Sequence, residues 1–230
     1  MKHTLLIITA LMLVVGFSNA QTHEAMEFYD DGKPRSIETY KVSKDKIELV
    51  KRVSWYNSGQ KRKELTYKDG ELDGLSTGWY SNGQKWNEGT FKDGDSTDVW
   101  TGWYENGQKM KEGTYKDGEL DGLVSRWHRN GQKKTERTYK DGERNGLETS
   151  WYWNGQKGFE GTYKDGKEDG LQTWWYKNGQ KKAMYSAKDG KKDGLWTYWR
   201  ENGQKETEST YKDGEFIKET YWDGDGNKLY

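Results

Sequence analysis

Cysteine is absent from this chain, and its absence excludes disulfide staples and thiolate chemistry. An excess of either charge is missing too: Lys and Arg total 38, and Asp and Glu total 38. Phosphate-binding surfaces usually carry a clear positive excess, so nucleic acid and anionic membrane are disfavoured as main partners. Hydrophobic residues make up 30% of the 230 positions and charged residues 33%, too polar a balance for an ordinary globular core. Histidine is scarce: His23 and His128 are isolated, and His3 sits in the first segment. Past the first twenty residues, no stretch is long and apolar enough for an amphipathic helix. What the chain does have is aromatic surface. Thirteen Trp, 16 Tyr and 5 Phe supply buriable area that disordered segments lack, so ordered structure built on aromatics is expected.

Residues 1–20 differ from the rest. Lys2, the apolar run from Leu5 to Val15, Gly16 and the small-residue ending Ser18-Asn19-Ala20 read as a signal peptide cleaved after Ala20. The apolar run is well short of the roughly 20 residues that span a bilayer, so no transmembrane segment is expected after cleavage. A lipid-anchored form would need Cys where Gln21 stands. The reading is an exported protein, periplasmic or secreted. Removing Lys2 with the signal leaves 37 basic against 38 acidic residues, a formal charge of −1.

The remainder repeats. Gly59, Gly83, Gly107, Gly131, Gly155, Gly179 and Gly203 are spaced by 24, and Trp55, Trp79, Trp103, Trp127, Trp151, Trp175 and Trp199 form a column with the same period. Asp-Gly recurs from Asp69 to Asp213 at that interval. Each unit reads as two strands and two kinds of turn. "LQTWWY" alternates, "NGQ" is a hairpin signal, "EGTYK" is a second strand, and "KDGELDG" closes the unit with two Asp-Gly turns. The expected fold is all-β: an elongated single-layer meander of antiparallel β-hairpins, about 17 strands in all, with no helix outside the signal peptide. The domain reading is a signal peptide at 1–20, a degenerate repeat at 21–54, seven repeats at 55–214 and a partial capping repeat at 215–230.

The faces depend on how the hairpin loop is counted. A three-residue loop, Asn-Gly-Gln, puts Trp79 on one face with Gly89 and Phe91, whereas a two-residue loop puts it with Glu88 and Thr90. The three-residue count is preferred. It gathers Leu, Trp and Tyr or Phe on one side and lets Gly89, Gly113 and Gly161 make room for neighbouring indoles. The other face would then carry Tyr80, Tyr104, Tyr152 and Tyr176 with the Glu and Thr columns, wet but adhesive.

Units such as "NGQKMKEGTYKDGELDG" resemble the MORN repeat, in particular its bacterial variant, over about Phe28 to Tyr230. The resemblance implies an array of antiparallel hairpins acting in protein interaction or scaffolding, with no catalysis. Bacterial members are often labelled antitoxins of toxin–antitoxin systems, a label that an export signal does not suit. Some members are linked to phosphoinositides, which the neutral charge here disfavours.

Catalysis needs different groups gathered in one place, whereas a repeat spaces one group evenly. The column Glu64, Glu88, Glu112, Glu136, Glu160 and Glu208 therefore reads as a solvated face with Lys partners across strands, and the Lys columns as solubility and strand-end protection. Asp223, Asp225 and Asn227 begin like a calcium loop, but Lys228 stands where the required glycine would be. They read as a final turn. Neither enzyme activity, cofactor nor metal is expected. The expected partner is another protein, with cell-wall or extracellular glycan on the aromatic ladder as the alternative. The candidate contact residues are Tyr80, Trp100, Tyr104, His128, Tyr152, Trp174, Tyr176 and Tyr198. Three places break the repetition: Ser96 to Trp100, Arg126 with His128, and Met184-Tyr185.

Overall fold

The computed structural model describes residues 21–43 and 46–229, so the segment 1–20, expected to be a signal peptide, lies outside it. Every described element is an antiparallel strand, and together they form one sheet. The first strands are β1 (Gln21–Phe28), β2 (Pro34–Val42), β3 (Ile47–Trp55), β4 (Lys61–Lys68), the two-residue β5 (Glu71–Leu72), β6 (Gly74–Trp79), β7 (Lys85–Lys92), β8 (Asp95–Trp103) and β9 (Lys109–Lys116). They are followed by β10 (Glu119–Trp127), β11 (Lys133–Lys140), β12 (Glu143–Trp151), β13 (Lys157–Lys164), β14 (Lys167–Trp175), β15 (Lys181–Lys188), β16 (Lys191–Trp199), β17 (Lys205–Lys212), β18 (Glu215–Trp222) and the short β19 (Lys228–Leu229). Two compact units divide the chain. The first runs to Lys109 and takes in 115–118; the second holds 110–114 and everything from Glu119.

The two recurrent turns explain the repeated words. At Lys92-Asp93-Gly94-Asp95 the flanking residues pair, and Asp93 and Gly94 have φ of +48° and +88°, a type I′ hairpin turn. Asp tolerates the left-handed region and Gly occupies it without strain. The Asn-Gly-Gln turn is longer. In Tyr80 to Gln84, the Gly83 N–H donates to the Tyr80 carbonyl at 2.9 Å and the Tyr80 N–H to the Gln84 carbonyl at 2.7 Å. Asn82 Oδ1 accepts the Gln84 N–H at 3.0 Å, an Asx turn, while its Nδ2 donates to the Glu105 carbonyl one repeat on. One amide side chain thus folds its own turn and ties it to the next.

The register differs from the three-residue expectation. Trp79 pairs with Lys85 but Gly78 pairs with Asn87, so Trp86 is an extra residue, a β-bulge. The same shift recurs before Trp55, Trp127, Trp151, Trp175 and Trp199. Five residues loop out, and beyond the bulge the pairing matches the two-residue count: Thr77 opposes Glu88 and Leu75 opposes Thr90. Opposed residues share a face. Leu75, Thr77 and Trp79 therefore lie with Glu88 and Thr90 on what we call the tryptophan face, while Gly89 and Phe91 lie with Ser76 on the tyrosine face. The expected union of Leu, Trp and Phe on one side is overturned, because an extra residue per hairpin reverses one strand's faces.

The second Asp-Gly of each unit is likewise not a hairpin turn. Asp121-Gly122 lies inside β10, with Gly122 at φ +112°, and the corresponding Asp169-Gly170 lies inside β14. Opposite it, Gly161 pairs with Gln172 and Tyr163 with Glu168, leaving Thr162 outside the β13–β14 ladder. Gln172 Nε2 donates to the Thr162 carbonyl at 2.8 Å. Trp196 Nε1 does the same for Ser186, likewise outside its ladder, at 3.0 Å, and Trp100 Nε1 donates to Thr90 at 3.1 Å beside the shift that leaves Gly89 out of the β7–β8 ladder. Where a bulge leaves a backbone acceptor spare, a side chain on the adjoining strand satisfies it.

Apolar burial follows the tyrosine face, while the hydroxyl column of Thr77, Ser125, Thr149, Thr173 and Thr197 is buried on the other. Among the described residues, the buried apolar side chains are Val124, Phe159, Ala183, Ala187 and Trp196, all in the second unit and all on that face. Full burial of a Phe is worth about 1.5–3 kcal/mol. A methyl group at Gly89 would overlap the Trp100 ring, so that strand glycine does accommodate an indole; the equivalent Gly161 and Gly113 instead face Gln172 and Val124. In the first unit, Ser36, Ser76 and Thr77 are the buried side chains among the described residues, and all are polar. β18 protects its outer edge. Thr210 is flanked by Leu195 on β16 and by Lys218 on β18, and Ser209 by Trp196 and Glu219, so charge replaces the apolar pair where pairing ends.

Candidate partner-binding surfaces

On the tryptophan face a Lys–Glu pair recurs along the array, broken where Met184 replaces the glutamate. Thr77 Oγ1 donates to Glu88 Oε2 at 3.1 Å, and Lys85, three residues earlier on β7, ion-pairs with the same carboxylate. Lys85 Nζ also lies 5.9 Å from the Trp103 ring centre; Lys61 and Lys157 stand likewise over Trp79 and Trp175 at 5.3 and 5.4 Å. The Glu column thus has Lys partners, but on its own strand rather than across strands; Lys51 reaching Glu64 at 2.6 Å is an added cross-strand case. Lys51 and Lys61 hold the Glu64 carboxyl below the ordinary glutamate range. Beside this ladder the leucines face solvent: Leu123, Leu147, Leu171 and Leu195 in the second unit are 47–53% exposed.

The turn tyrosines are ties between repeats. Tyr80 OH donates to the Trp103 carbonyl at 2.8 Å, Tyr152 OH to Trp175 at 2.7 Å and Tyr176 OH to Trp199 at 2.9 Å. In the same position His128 Nε2 lies 3.0 Å from the Trp151 carbonyl and Arg200 donates to Trp222 at 2.8 Å. Burial, with Glu206 and Glu201 adding, pushes the Tyr176 phenol up. Tyr104 is half-buried in the same column. Trp100 packs on the tyrosine face, its ring 4.9 Å from Phe91, edge to face. Trp174 and Tyr198 share that face at 41% and 36% exposure. Asp223 Oδ1 accepts the N–H groups of Asp225 and Asn227 at 2.9 and 2.8 Å, so this carboxylate caps its own turn.

Three of the eight candidates, His128, Tyr152 and Trp174, come together. With Trp153 they border an open depression of ≈ 570 Å³ within the second unit, floored by the buried Phe159. Phe159 and Trp174 have ring centres 4.4 Å apart. Two arginines bracket one buried carboxylate there: Arg137 Nε lies 2.8 Å from Glu148 Oε1, too poorly aligned for a hydrogen bond, and Arg144 donates to Oε2 at 3.2 Å. Burial works against the Arg137 charge, yet Glu148 outweighs it and raises its pKa above the usual value. Arg144 also stacks 4.8 Å from the Tyr163 ring, whose phenol is pushed up by burial and then by Glu148 and Glu168. Tyr80, Trp100, Tyr104, Tyr176 and Tyr198 do not line this depression.

The sequence reading passed over Arg137, Arg144, Glu148, Trp153 and Phe159. Their signal was present within the repeat. Trp153 stands where the other units have Asn57, Ser81, Glu105, Arg129, Lys177 and Glu201, and Glu148 where neighbouring units have Val124 and Gln172. A smaller depression of ≈ 270 Å³ in the first unit is lined by Arg35, Arg52, Arg62 and Lys63 with Glu27. There Arg62 lies against the Tyr56 ring and Arg52 is 3.5 Å from Glu38.

No curated protein matches the chain. A family model described as the MORN repeat variant matches seven segments, 24–41, 50–69, 72–93, 99–117, 120–141, 168–189 and 192–213, and passes over 142–167, the stretch that supplies Arg144, Glu148, Trp153 and Phe159. With more than half its length matched, and with hairpins recurring every 24 residues, the chain belongs to the MORN repeat variant family.

Proposed function

We propose that this MORN-repeat chain is an exported, non-catalytic scaffold that binds another protein through contacts distributed along the array. One observation carries the reading: the solvent-facing leucine row Leu123, Leu147, Leu171 and Leu195, one per hairpin, on a face otherwise paired internally by Lys, Glu and Thr. A row of exposed apolar side chains at a fixed interval supports an interaction surface more than scattered ones would. Equal contacts at equal intervals give affinity by avidity, so no single unit is indispensable. Export rests on Lys2, the Leu5–Val15 run and Ala20.

The test is affinity capture from the envelope and medium of the source cell, with the mature chain as bait. A partner recovered by the native chain should be retained progressively less as Leu123, Leu147, Leu171 and Leu195 are changed to Ser one after another. Loss of the partner on changing only Val99 and Trp100, with the leucine series silent, would replace the distributed surface by a point site. Recovery of an intracellular partner alone would count against export.

A further inference from the structure

We propose that the depression in the second unit is a binding site for a carboxylated sugar ring, a uronic acid residue being the simplest example. This goes beyond the scaffold reading and stands or falls separately from it. Four features of the site point the same way.

First, Trp153 is 65% exposed in a turn where every other repeat has a short or charged residue, and nothing in the turn's own hydrogen bonding uses its indole. The turn is held by backbone and Asn154 contacts, as in its neighbours. A large ring held in water gains by covering its face with another ring. Second, Trp174 offers a second indole on the same depression over the buried Phe159, so the apolar lining is wide enough for a flat body. Third, the charge is unbalanced. Arg137, Arg144 and Lys134 line the depression against the one carboxylate of Glu148, whose two oxygens are taken by the two arginines. The Arg144 guanidinium carries five donors and spends one on Glu148, leaving an edge suited to a planar carboxylate. Lys134 is exposed. Fourth, the volume of ≈ 570 Å³ falls within the roughly 300–1,000 Å³ usual for small-ligand sites, and its open side leaves room for a chain of rings to run past.

A stacked ring places its substituents at the rim, where Arg144 and Lys134 stand. A neutral sugar leaves those cations unanswered, and an acidic peptide leaves the indoles uncovered. Both chemistries are used together only by an acidic ring.

The experiment is titration of the mature chain with trigalacturonate, followed by tryptophan fluorescence, beside maltotriose and an Asp/Glu hexapeptide. Saturable binding of trigalacturonate, weakened by salt, is expected, with maltotriose weaker by about tenfold, or about 1.4 kcal/mol. Trp153→Ala, at an exposed turn position, should keep the circular dichroism spectrum and lose about tenfold in affinity. Lys134→Gln should lose about two- to threefold, in keeping with an exposed cation. Equal binding of maltotriose, displacement by the hexapeptide at equal concentration, indifference to Trp153→Ala, or no saturable binding at millimolar trigalacturonate would each overturn the proposal. Protein capture through the leucine row is unaffected by any of these results.

Discussion

The two faces of the sheet follow opposite rules. On the tryptophan face the middle column reads Val53, Thr77, Thr101, Ser125, Thr149, Thr173 and Thr197, nearly one residue repeated, and its neighbours are the unvarying Lys and Trp columns and a Glu column broken only at Met184. On the tyrosine face the next column reads Arg52, Ser76, Trp100, Val124, Glu148, Gln172 and Trp196. Seven hairpins thus use six residue types at one backbone position. The uniform face is a ladder in which each rung repeats one solution. The varied face is where units are individually packed, where the buried apolar side chains lie, and where a depression opens in the stretch that the family model passes over. In a repeat protein, sameness marks what builds the array and difference marks what distinguishes one stretch of it.

The contrast can be broken most forcefully at Trp196. This indole stacks 4.0 Å from Tyr185, lies tilted 5.6 Å from Tyr211 and satisfies the Ser186 carbonyl. Trp196→Ala should destabilise by about 3–5 kcal/mol in urea unfolding, and Trp175→Ala on the other, half-buried column by about half as much. Equal costs would erase the distinction between faces. Glu148→Ala comes next, at about 2–3 kcal/mol, since it leaves Arg137 charged and half-buried without its counter-ion. Tyr152→Phe removes one inter-repeat hydrogen bond and should cost about 1 kcal/mol, and Thr77→Val, which leaves Glu88 its lysine, somewhat less than about 1 kcal/mol.

The smallest effect sharpens the uniform face. Lys51 and Lys61 depress the Glu64 pKa, so its contribution is complete above the ordinary glutamate value near 4.5 and is lost as pH falls through the depressed folded value. The melting temperatures of the native chain and Glu64→Gln should differ by a constant amount above about pH 5 and converge in more acidic solution. A gap that widens on acidification would have the wrong sign.

Much of this was legible in the sequence. Asn-Gly and the first Asp-Gly of each unit fixed the hairpins, the 24-residue period fixed their number within two short strands, and the absence of apolar runs past residue 20 excluded helix among the described residues. The face assignment was not, because the extra residue at Trp86 or Gly158 has no sequence signature, and one bulge per hairpin inverts every side chain beyond it. The turn tyrosines looked adhesive because their partners, the tryptophan carbonyls one repeat away, are backbone atoms that no residue pattern reveals. His128 and Trp174 were legible as departures or exposed aromatics. Arg144, Glu148 and Trp153 were legible only by reading down each column for the residue that does not belong.

Register decides which face is which, and it can be measured without interference because the chain has no cysteine of its own. Thr197 opposes Glu208 in the bulged pairing, whereas a three-residue loop would set it opposite Ser209. Oxidation of Thr197→Cys/Glu208→Cys should close a disulfide rapidly and raise the melting temperature, while Thr197→Cys/Ser209→Cys, with its sulfurs on opposite faces, should stay reduced. The reverse outcome would return the leucines and tryptophans to the face of the tyrosine column and contradict the account.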